Sequence, residues 1–508
     1  MIDPRRATHP AHHGSPDASA LHPRPHVAIV GAGIAGLAAA TGLAERGVAV
    51  DVFEREPSIG GRVAGWSDTL ADGSEVTMNR GFHAFFRQYY NLRALLRRVD
   101  PALSMLVPVT DYPLVDADGR RDTFRGLPTT PPLNAIVFAL RSPTFRLRDL
   151  VRLNARAAAP LAAVSVPEIY HQLDHCSADE FLRDINFPSA ARHLAFEVFS
   201  RSFFARPTEL SAAELAAMFH IYFLGSSEGL VFDVANANFA DALWDPLRAH
   251  LETLGVRFHT GTSVTEVSHS TKFELGVDAG TDVEVDGVVL ATDVAGLRRI
   301  VDNSPELGDV GWRRSIEGLG TAPPFVVYRL WLDSAVREDR PAFLGTGGRP
   351  PLDNVSVLER YEREAAQWAS RTGGSVVELH AYAVEGPHDD LRDRLLHQLH
   401  RLYPETRDAV VIDERVLCRN DCPSFAPGEF ASRPGVITPH EGLTLAGDGI
   451  RIDLPVALME RAATTGWAAA NELLARFGVA GHVLHTVPTE GRSAVLRRFA
   501  KREGQHQR

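Results

Sequence analysis

The sequence predicts an α/β fold that combines a Rossmann-like dinucleotide-binding domain with a discontinuous, mixed α+β second domain. Residues 27–54 read as a short apolar strand, a glycine-rich turn, an Ala/Leu-rich helix and a second apolar strand. An apolar strand followed by a helix of small residues returns over residues 442–470. The length of 508 residues exceeds what one hydrophobic core usually serves, so two domains are expected.

The first unit holds Gly31-x-Gly33-x-x-Gly36 between its strand and its helix. In that context Gly31 permits a tight turn, Gly33 lets the backbone approach a pyrophosphate, and Gly36 lets helix and strand pack closely. The helix N-terminus adds free N–H groups and a partial positive charge. Glu54 ends the second strand, where its carboxylate can accept ribose hydroxyls and would repel a 2′-phosphate, which disfavours NADP. The full context disfavours the alternative, a glycine-rich turn in an ordinary βαβ unit.

A second glycine pair, Gly60-Gly61 followed by Arg62, separates FAD from NAD. The glycines allow backbone close to phosphate, and Arg62 can supply a bidentate, charge-assisted contact. The extension resembles the one that lies along the FAD pyrophosphate in the amine oxidase and carotenoid desaturase superfamily. We therefore expect a Rossmann-like FAD-binding domain of the GR2 type. Non-covalent FAD is expected because no Cys or His lies in a recognisable flavin-attachment motif.

Later segments supply further cofactor contacts. In the superfamily, a strand that falls here at about Val264 brackets the adenine. An apolar strand ends at Gly447-Asp448, and such an aspartate typically accepts a ribityl hydroxyl. The helix that follows places Met459 and Ala462 near the flavin, where the helix dipole stabilises the negative charge of the reduced ring. A tightly packed core helix is the other interpretation of this segment.

The predicted domains are discontinuous along the chain. The FAD-binding domain is assembled from residues 26–105, 238–300 and 435–485. The substrate domain comprises residues 106–237 and 301–434, with helical patterns at 148–163, 177–185, 189–204, 211–224 and 388–403 and strands at 323–333 and 375–384. Residues 1–25, rich in Pro, His, Ala and Ser, are expected to be a disordered leader, and residues 486–508 a basic tail.

Composition restricts the class of partner and site. The formal charge of −11 argues against nucleic acid, and 44% apolar with 23% charged residues is ordinary for a globular protein. Cys176, Cys418 and Cys422 give no disulfide framework and fit a reducing cytoplasm. A redox or metal pair at Cys418 and Cys422 lacks a matching Cys/His cluster, so no metal site is expected. No apolar run reaches the length of a membrane-spanning helix.

Residues 79–93 and 446–466 resemble the carotenoid phi-ring synthases, or isorenieratene synthases, of actinobacteria, and the likeness extends over residues 26–491. The resemblance implies FAD-dependent oxidation of the β-ionone rings of a carotenoid such as β-carotene, with migration of one methyl group, to aromatic phi-rings. A hydrocarbon substrate requires an apolar tunnel. Aromatic candidates for its wall are Phe82, Phe85, Phe86, Tyr89, Tyr90, Phe196, Phe199, Phe203, Phe204, Phe219, Tyr222 and Phe223.

Ring oxidation requires a hydride acceptor, which flavin N5 provides, and a base for the proton. Asp453, Glu460 and His83 are the candidate catalytic residues, since they lie in segments expected to border the flavin. Glu460 could instead pair with Arg461, and His83 could bond to backbone. Alternative functions are desaturation or isomerisation of linear precursors such as phytoene and ζ-carotene, amine oxidation, and non-enzymatic carotenoid binding. Amine oxidation is disfavoured because flavin amine oxidases generally carry a lysine near flavin N5, in the substrate domain. The two lysines of this chain, Lys272 and Lys501, do not fall in that domain.

A bilayer-dissolved substrate predicts a cytoplasmic enzyme that is peripheral on the inner face of the cell membrane. The candidate surface is the apolar segment 131–140, which is followed by Arg141, Arg146, Arg148, Arg152 and Arg156. The basic run 497–502 could assist. A buried helix is the alternative for the apolar segment. The acceptor that reoxidises the flavin, a quinone, oxygen or another protein, is unidentified.

Overall fold

The computed structural model describes residues 3–145, 152–188, 191–192, 201–278, 282–384, 390–491 and 497. Its strands are β1 (Ala7–His9), β2 (His26–Val30), β3 (Ala49–Glu54), β4 (Gly65–Thr69), β5 (Glu75–Asn79), β6 (Phe85–Phe86), β7 (Leu106–Val109), β8 (Leu114–Val115), β9 (Arg121–Asp122), β10 (Phe232–Ala235), β11 (Arg257–Thr260), β12 (Val264–His269), β13 (Phe273–Val277), β14 (Val283–Val285), β15 (Gly287–Leu290), β16 (Phe325–Leu332), β17 (Phe343–Thr346), β18 (Asn354–Val357), β19 (Ser375–Ala381), β20 (Val411–Arg419), β21 (Leu443–Leu445) and β22 (Leu484–Thr486).

The helices are α1 (Ile34–Ala44), α2 (Tyr90–Leu96), α3 (Leu133–Arg141), α4 (Ala159–Ala162), α5 (Glu168–Leu173), α6 (Ala178–Asp184), α7 (Ala212–Phe219), α8 (Asp245–Thr253), α9 (Val294–Asn303), α10 (Val310–Glu317), α11 (Arg363–Thr372), α12 (Leu391–Leu402) and α13 (Leu458–Arg476). Short 3₁₀ turns occur at Gly61–Val63, Leu358–Arg360 and Pro404–Thr406, and π-type turns at His220–Leu224 and Ala240–Trp244. Of the helical patterns predicted from sequence, most of 189–204 and part of 148–163 lie outside the described residues.

A five-stranded parallel sheet in the order β11-β3-β2-β15-β21 forms the centre of the dinucleotide-binding half. Its strands come from all three segments that the sequence assigned to this domain. The inner strands are buried apolar runs, as expected where helices cover both faces of a parallel sheet. Helices α1 and α13 pack tightly on each other because Gly466 has no Cβ, which would overlap the carbonyl oxygen of Ala35. The predicted α/β fold is confirmed.

The second half is built on a seven-stranded mixed sheet in the order β20-β16-β19-β18-β17-β8-β9. Strand β16 pairs antiparallel with β19 and β20, and every residue of β16 is buried. Leu391, Leu395 and Leu399, spaced four apart on α12, pack against this sheet. A smaller sheet, β6-β10-β7, lies beside the segment that leads into α2.

Residues 3–25 of the leader pair with other parts of the chain, so the expected disorder is wrong for this segment. Strand β1 pairs antiparallel with β22, and Ser15 forms a bridge with Val479. The backbone N–H of Asp3 donates to Glu228 at 2.5 Å. Composition missed this because the leader gains order from backbone pairing with the C-terminal strand and not from an apolar core of its own. Residues 498–502 of the basic tail lie outside the described residues, and Arg497 pairs with Glu490.

Candidate active site

A cavity of about 960 Å³ runs from the dinucleotide turn into the second half of the chain. Eleven of the twelve predicted cofactor residues border it: Gly31, Gly33, Glu54, Gly60, Gly61, Arg62, Val264, Gly447, Asp448, Met459 and Ala462. Gly36 lies behind the wall, where the sequence placed its packing role. The structure thus brings together residues from three distant parts of the chain in one groove.

The glycine turn is shaped by contacts that exclude side chains. Gly31 has φ +103°, and a Cβ there would lie 2.5 Å from the carbonyl oxygen of Ala291. A Cβ on Gly36 would overlap the carbonyl oxygen of Gly31. Gly33 differs, since its Cβ would meet nothing closer than Gly61 Cα at 3.9 Å and would point into open space. Gly33 is also the N-cap residue of α1. Because it has no side chain to accept a hydrogen bond, the first N–H groups of the helix are available to an anion.

Glu54 lines the groove together with Val264 at the start of β12, in the part that the sequence assigned to the adenosine. Its carboxylate accepts the backbone N–H of Ala32 at 2.8 Å and of Glu56 at 3.0 Å. Burial raises the pKa of Glu54, and the two hydrogen bonds, which lower it, offset only part of that effect. The side chain is therefore fixed in place at the wall of the groove, with lone pairs left to accept ribose hydroxyls.

Arg62 and Asp448 form an ion pair with each other at the middle of the groove. The sequence assigned Arg62 to the pyrophosphate and Asp448 to a ribityl hydroxyl, and both border the cavity. Cys422 lies beside Arg62, and burial raises the pKa of its thiol to about 11, so it stays protonated. Cys418 is exposed, and neither forms a disulfide.

Helix α13 directs its N-terminus at the cavity. Its N-cap Ala457 has no capping side chain, and Met459 and Ala462 line the wall. The hydroxyl of Thr465 accepts the backbone N–H of Gly447 at 2.9 Å, which ties the strand end to the helix. These features fit a flavin ring whose reduced, negative edge faces the positive end of a helix dipole.

His83 borders the cavity, as predicted, and burial lowers its pKa to about 4, so the ring is neutral. Its Nδ1 atom is 2.9 Å from the carbonyl oxygen of Gly81, the backbone bond that was the alternative for this residue. A neutral imidazole held by backbone is available for contact with a substrate in the cavity.

Asp453 and Glu460 do not reach the cavity, so their expected position beside the flavin is wrong. The side chain of Asp453 is 57% exposed and lies 3.8 Å from Arg451. The carboxylate of Glu460 accepts the backbone N–H groups of Asn91 and Leu92 at 2.8 and 2.9 Å, which caps α2. Glu460 points away because it lies one position, about 100°, around α13 from Met459.

Arg461 does not pair with Glu460. Its guanidinium donates to the carboxylate of Glu214 on α7 at 2.8 Å, in a fully buried ion pair. Helix α13 is thus fixed to α2 by Glu460 and to α7 by Arg461. Both side chains hold the helix whose N-terminus faces the cavity.

The wall of the cavity in the second half is largely aromatic. Of the predicted aromatic residues, those at the wall are Phe82, Phe86, Tyr89, Phe203 and Phe204. Sequence reasoning missed Tyr112, Phe232, Phe325, Phe343, Tyr382 and Phe425. Phe85, Tyr90, Phe219, Tyr222 and Phe223 are not at the wall, and Phe196 and Phe199 lie outside the described residues.

Sequence reasoning also missed a polar group in this aromatic wall. His380 and Tyr382 border the cavity, and His380 is bonded to buried Glu378 at 2.8 Å. The sequence does carry a signal for these residues. Glu378, His380 and Tyr382 are polar residues at alternate positions of an otherwise apolar strand segment. Lys272 does not border the cavity. It lies at the surface, where it pairs with Glu284.

The fold and the groove together define a flavin-dependent oxidoreductase. The model of the family "Flavin containing amine oxidoreductase" matches residues 34–474. A carotenoid phi-ring synthase from Streptomyces griseus is 60% identical over 94% of this chain and 93% of its own length. Another, from Chlorobaculum tepidum, is 27% identical over 91% of this chain and 90% of its own.

The chain therefore belongs to the flavin-containing amine oxidoreductases and, within them, to the carotenoid phi-ring synthase family. Among solved structures, putrescine oxidase bound to putrescine has a TM-score of 0.65 at 17% identity, over 89% of this chain and 99% of that one. At that identity the likeness shows the fold alone. In the described residues, no helix is long and apolar enough to cross a membrane, and no cluster of three or more potential ligands for a metal occurs.

Proposed function

We propose that this enzyme uses non-covalently bound FAD to convert the β-rings of a carotenoid such as β-carotene into aromatic phi-rings. The main support for the proposal is that one cavity has a glycine-lined part and an aromatic part. A glycine-lined groove with two helix N-termini leads directly into an aromatic chamber. The proposal is supported by the 60% identity to a relative named for this activity.

The residues of the chain have distinct tasks in this proposal. Glu54 holds the adenosine ribose, while Gly33, Gly61 and the start of α1 hold the pyrophosphate. Bound FAD supplies a hydride acceptor at N5. The aromatic wall excludes water and presents ring faces that stabilise a cation in the hydrocarbon ring. Phe82, whose ring is tilted by 32° to that of Phe343 with centroids 4.4 Å apart, is part of that wall.

Expression in a bacterium that produces β-carotene tests this proposal. We expect pigments that have lost hydrogen at unchanged carbon number by mass analysis, with aryl methyl signals by NMR. Unaltered β-carotene, together with activity in a parallel strain that accumulates phytoene or ζ-carotene, would favour the linear desaturase instead. Gly33→Val, which fills the pyrophosphate groove, is the inactive control.

We further propose that the protein is cytoplasmic and attaches to the inner face of the membrane through α3. Leu133, Ile136 and Leu140 lie on the open side of this helix and are 52%, 48% and 61% exposed. Phe138 stacks on Phe124 at 4.9 Å and anchors the opposite side. Of the arginines that follow, Arg141, Arg152 and Arg156 are exposed, while Arg146 and Arg148 lie outside the described residues. Exposed apolar side chains beside cations suit acyl chains beside anionic headgroups.

Co-sedimentation with anionic vesicles tests this attachment. Replacing Leu133, Ile136 and Leu140 by Ser should abolish binding without loss of FAD, because about half or more of each side chain is exposed and none lines the cavity. Val410→Ser with Val416→Ser is the matched control, since both valines are 61% exposed but lie at strand β20. Equal binding by both variants would exclude α3 as the attachment surface. The same vesicles, supplied with a quinone or with oxygen, would identify the acceptor that reoxidises FAD.

A further inference from the structure

A row of polar side chains leads from the interior of the second half to the wall of the cavity. Glu378 and His380 lie on β19 and Tyr382 follows it, so the three side chains share one face of the strand. Nε2 of His380 is 2.8 Å from the Glu378 carboxylate, and Nδ1 is 2.9 Å from the Tyr382 hydroxyl. On the paired strand β16, Arg329 donates to Glu378 at 2.8 Å. The row therefore ends in the cavity at His380 and Tyr382.

The charges in this row set the direction of each hydrogen bond. Burial acts to raise the pKa of Glu378, but Arg329 and His380 hold it at about 2. The ionised carboxylate only accepts hydrogen bonds, so Nε2 of His380 carries the proton. Nδ1 is then an acceptor, and the Tyr382 hydroxyl donates to it. The side-chain amide of Asn354 donates to the Tyr382 oxygen at 3.0 Å, which leaves the phenol proton directed at the histidine.

Tyr382 lies among the aromatic rings that line the chamber. The ring of Phe204 is edge-on to Tyr382 with centroids 5.0 Å apart. Nε2 of His380 is also 3.4 Å from the backbone nitrogen of Phe82, the residue before His83. His83, Arg62 and Tyr382 all line the same cavity, so a substrate ring held in it can contact Tyr382.

We infer that Tyr382 and His380 form the base that takes the proton from the oxidised carotenoid ring, an inference that rests on the proposed ring aromatisation. Hydride transfer to the flavin, the two-electron oxidant, leaves a carbocation in the ring, and a methyl group then shifts to it. A C–H bond beside the cationic carbon breaks, and its electron pair forms the new C=C bond. The proton goes to the Tyr382 oxygen while the phenol proton passes to Nδ1 of His380. One such round removes two hydrogens, so the ring becomes aromatic after a second hydride and proton loss, once an electron acceptor such as a quinone or oxygen has reoxidised the flavin.

The imidazolium that results faces the ionised carboxylate of Glu378. A C–H bond next to a carbocation is strongly acidic, so a neutral phenol–imidazole pair is a sufficient base. Tyr382 is the catalytic residue in this scheme, since it touches the ring. Glu378 and Arg329 are positioning residues, because they fix the tautomer of His380.

Tyr382→Phe removes the proton carrier and keeps the aromatic ring. The purified holoenzyme is mixed with β-carotene in vesicles, first without oxygen to record flavin bleaching. A quinone or oxygen is then added as electron acceptor, because each ring loses four electrons and one flavin accepts two, and the aromatic product is measured. We expect normal FAD content and flavin bleaching in the variant, with aromatic product formed at least roughly 100-fold more slowly. Tyr403→Phe is the matched control, since this buried hydroxyl is away from the cavity and has no partner among the described residues.

If Tyr382→Phe does not fold, His380→Gln is a second variant that tests the same proton transfer. It keeps a donor to Glu378 but removes the imidazole, so it should also bleach the flavin and lose product formation. Aromatic product at the wild-type rate from either folded variant overturns the inference. Failure of the wild-type holoenzyme to bleach or to form product would instead overturn the proposed function, which keeps the two failures distinguishable.

Discussion

Gly33 and Gly36 belong to one motif, yet the structure predicts opposite consequences when each is replaced by Ala. At Gly33 the backbone is extended, with φ −77° and ψ −176°, and a Cβ would contact only Gly61 Cα at 3.9 Å. The new methyl group would occupy the groove proposed for the pyrophosphate. At Gly36 a Cβ would overlap the carbonyl oxygen of Gly31, and that atom is backbone and cannot rotate away.

The magnitudes follow from these contacts. Gly33→Ala should leave the free energy of unfolding of the apoprotein unchanged or raise it by about 0.4–1 kcal/mol, since Ala restricts the unfolded chain. It should weaken FAD binding by about 1.5–3 kcal/mol, the worth of a hydrogen bond to a charged group, which is roughly 10- to 100-fold in Kd. Gly36→Ala should destabilise the apoprotein itself by about 1–3 kcal/mol or more.

Urea unfolding of the flavin-free protein and fluorescence titration with FAD separate the two effects. The reasoning is refuted if Gly33→Ala binds FAD as tightly as the wild type, or if Gly36→Ala unfolds at the wild-type urea concentration. In the first case the groove beside Gly33 does not hold the pyrophosphate. In the second the close packing of α1 on the glycine turn is not required.

Three further predictions concern charged groups around α13. Glu214→Gln leaves the buried guanidinium of Arg461 without its carboxylate and should cost about 3–5 kcal/mol, seen as a large fall in Tm; a Tm equal to wild type would contradict the buried pair. Burial raises the pKa of Glu460 to about 8 from an ordinary 4.5, so the native state keeps a proton that the unfolded chain loses, and stability should fall as pH rises between those values. Glu460→Gln should remove that part of the slope in urea unfolding at a series of pH values, and an unchanged slope would argue against it. Asp453→Asn should leave pigment conversion unaltered because the side chain lies outside the cavity, and slowed conversion would return it to the list of candidate bases.

The parts of the site that the sequence predicts are those determined by local geometry. Gly31 and Gly36 are recognisable because a turn with positive φ and a close helix–strand contact exclude every other residue within a few positions of chain. Met459 and Ala462 follow in the same way, since residues three apart share a helix face. These features need no knowledge of the second half of the molecule.

The base could not be predicted because its position depends on pairing between distant strands. Against burial, Glu378 is held ionised by Arg329, which lies opposite it on β16, and by His380, and that register is a property of the folded sheet. Glu460 was placed wrongly for a related reason. Its proximity in sequence to Met459 does not tell which face of α13 it occupies, and the folded structure turns it towards α2.

The central claim is that a carotenoid β-ring in the aromatic chamber gives its hydride to a flavin in the adjoining groove and becomes aromatic. Its most direct test is to mix purified, FAD-loaded enzyme with β-carotene in vesicles without oxygen, and to record the flavin absorbance before the pigments are extracted. The account predicts that the flavin is bleached in proportion to enzyme, that carotenoid extracted at this stage has lost two hydrogens, and that it carries aryl methyl groups after a quinone or oxygen has been added as electron acceptor. A flavin that stays oxidised with β-carotene, but is bleached by a linear carotenoid or an amine, would contradict it.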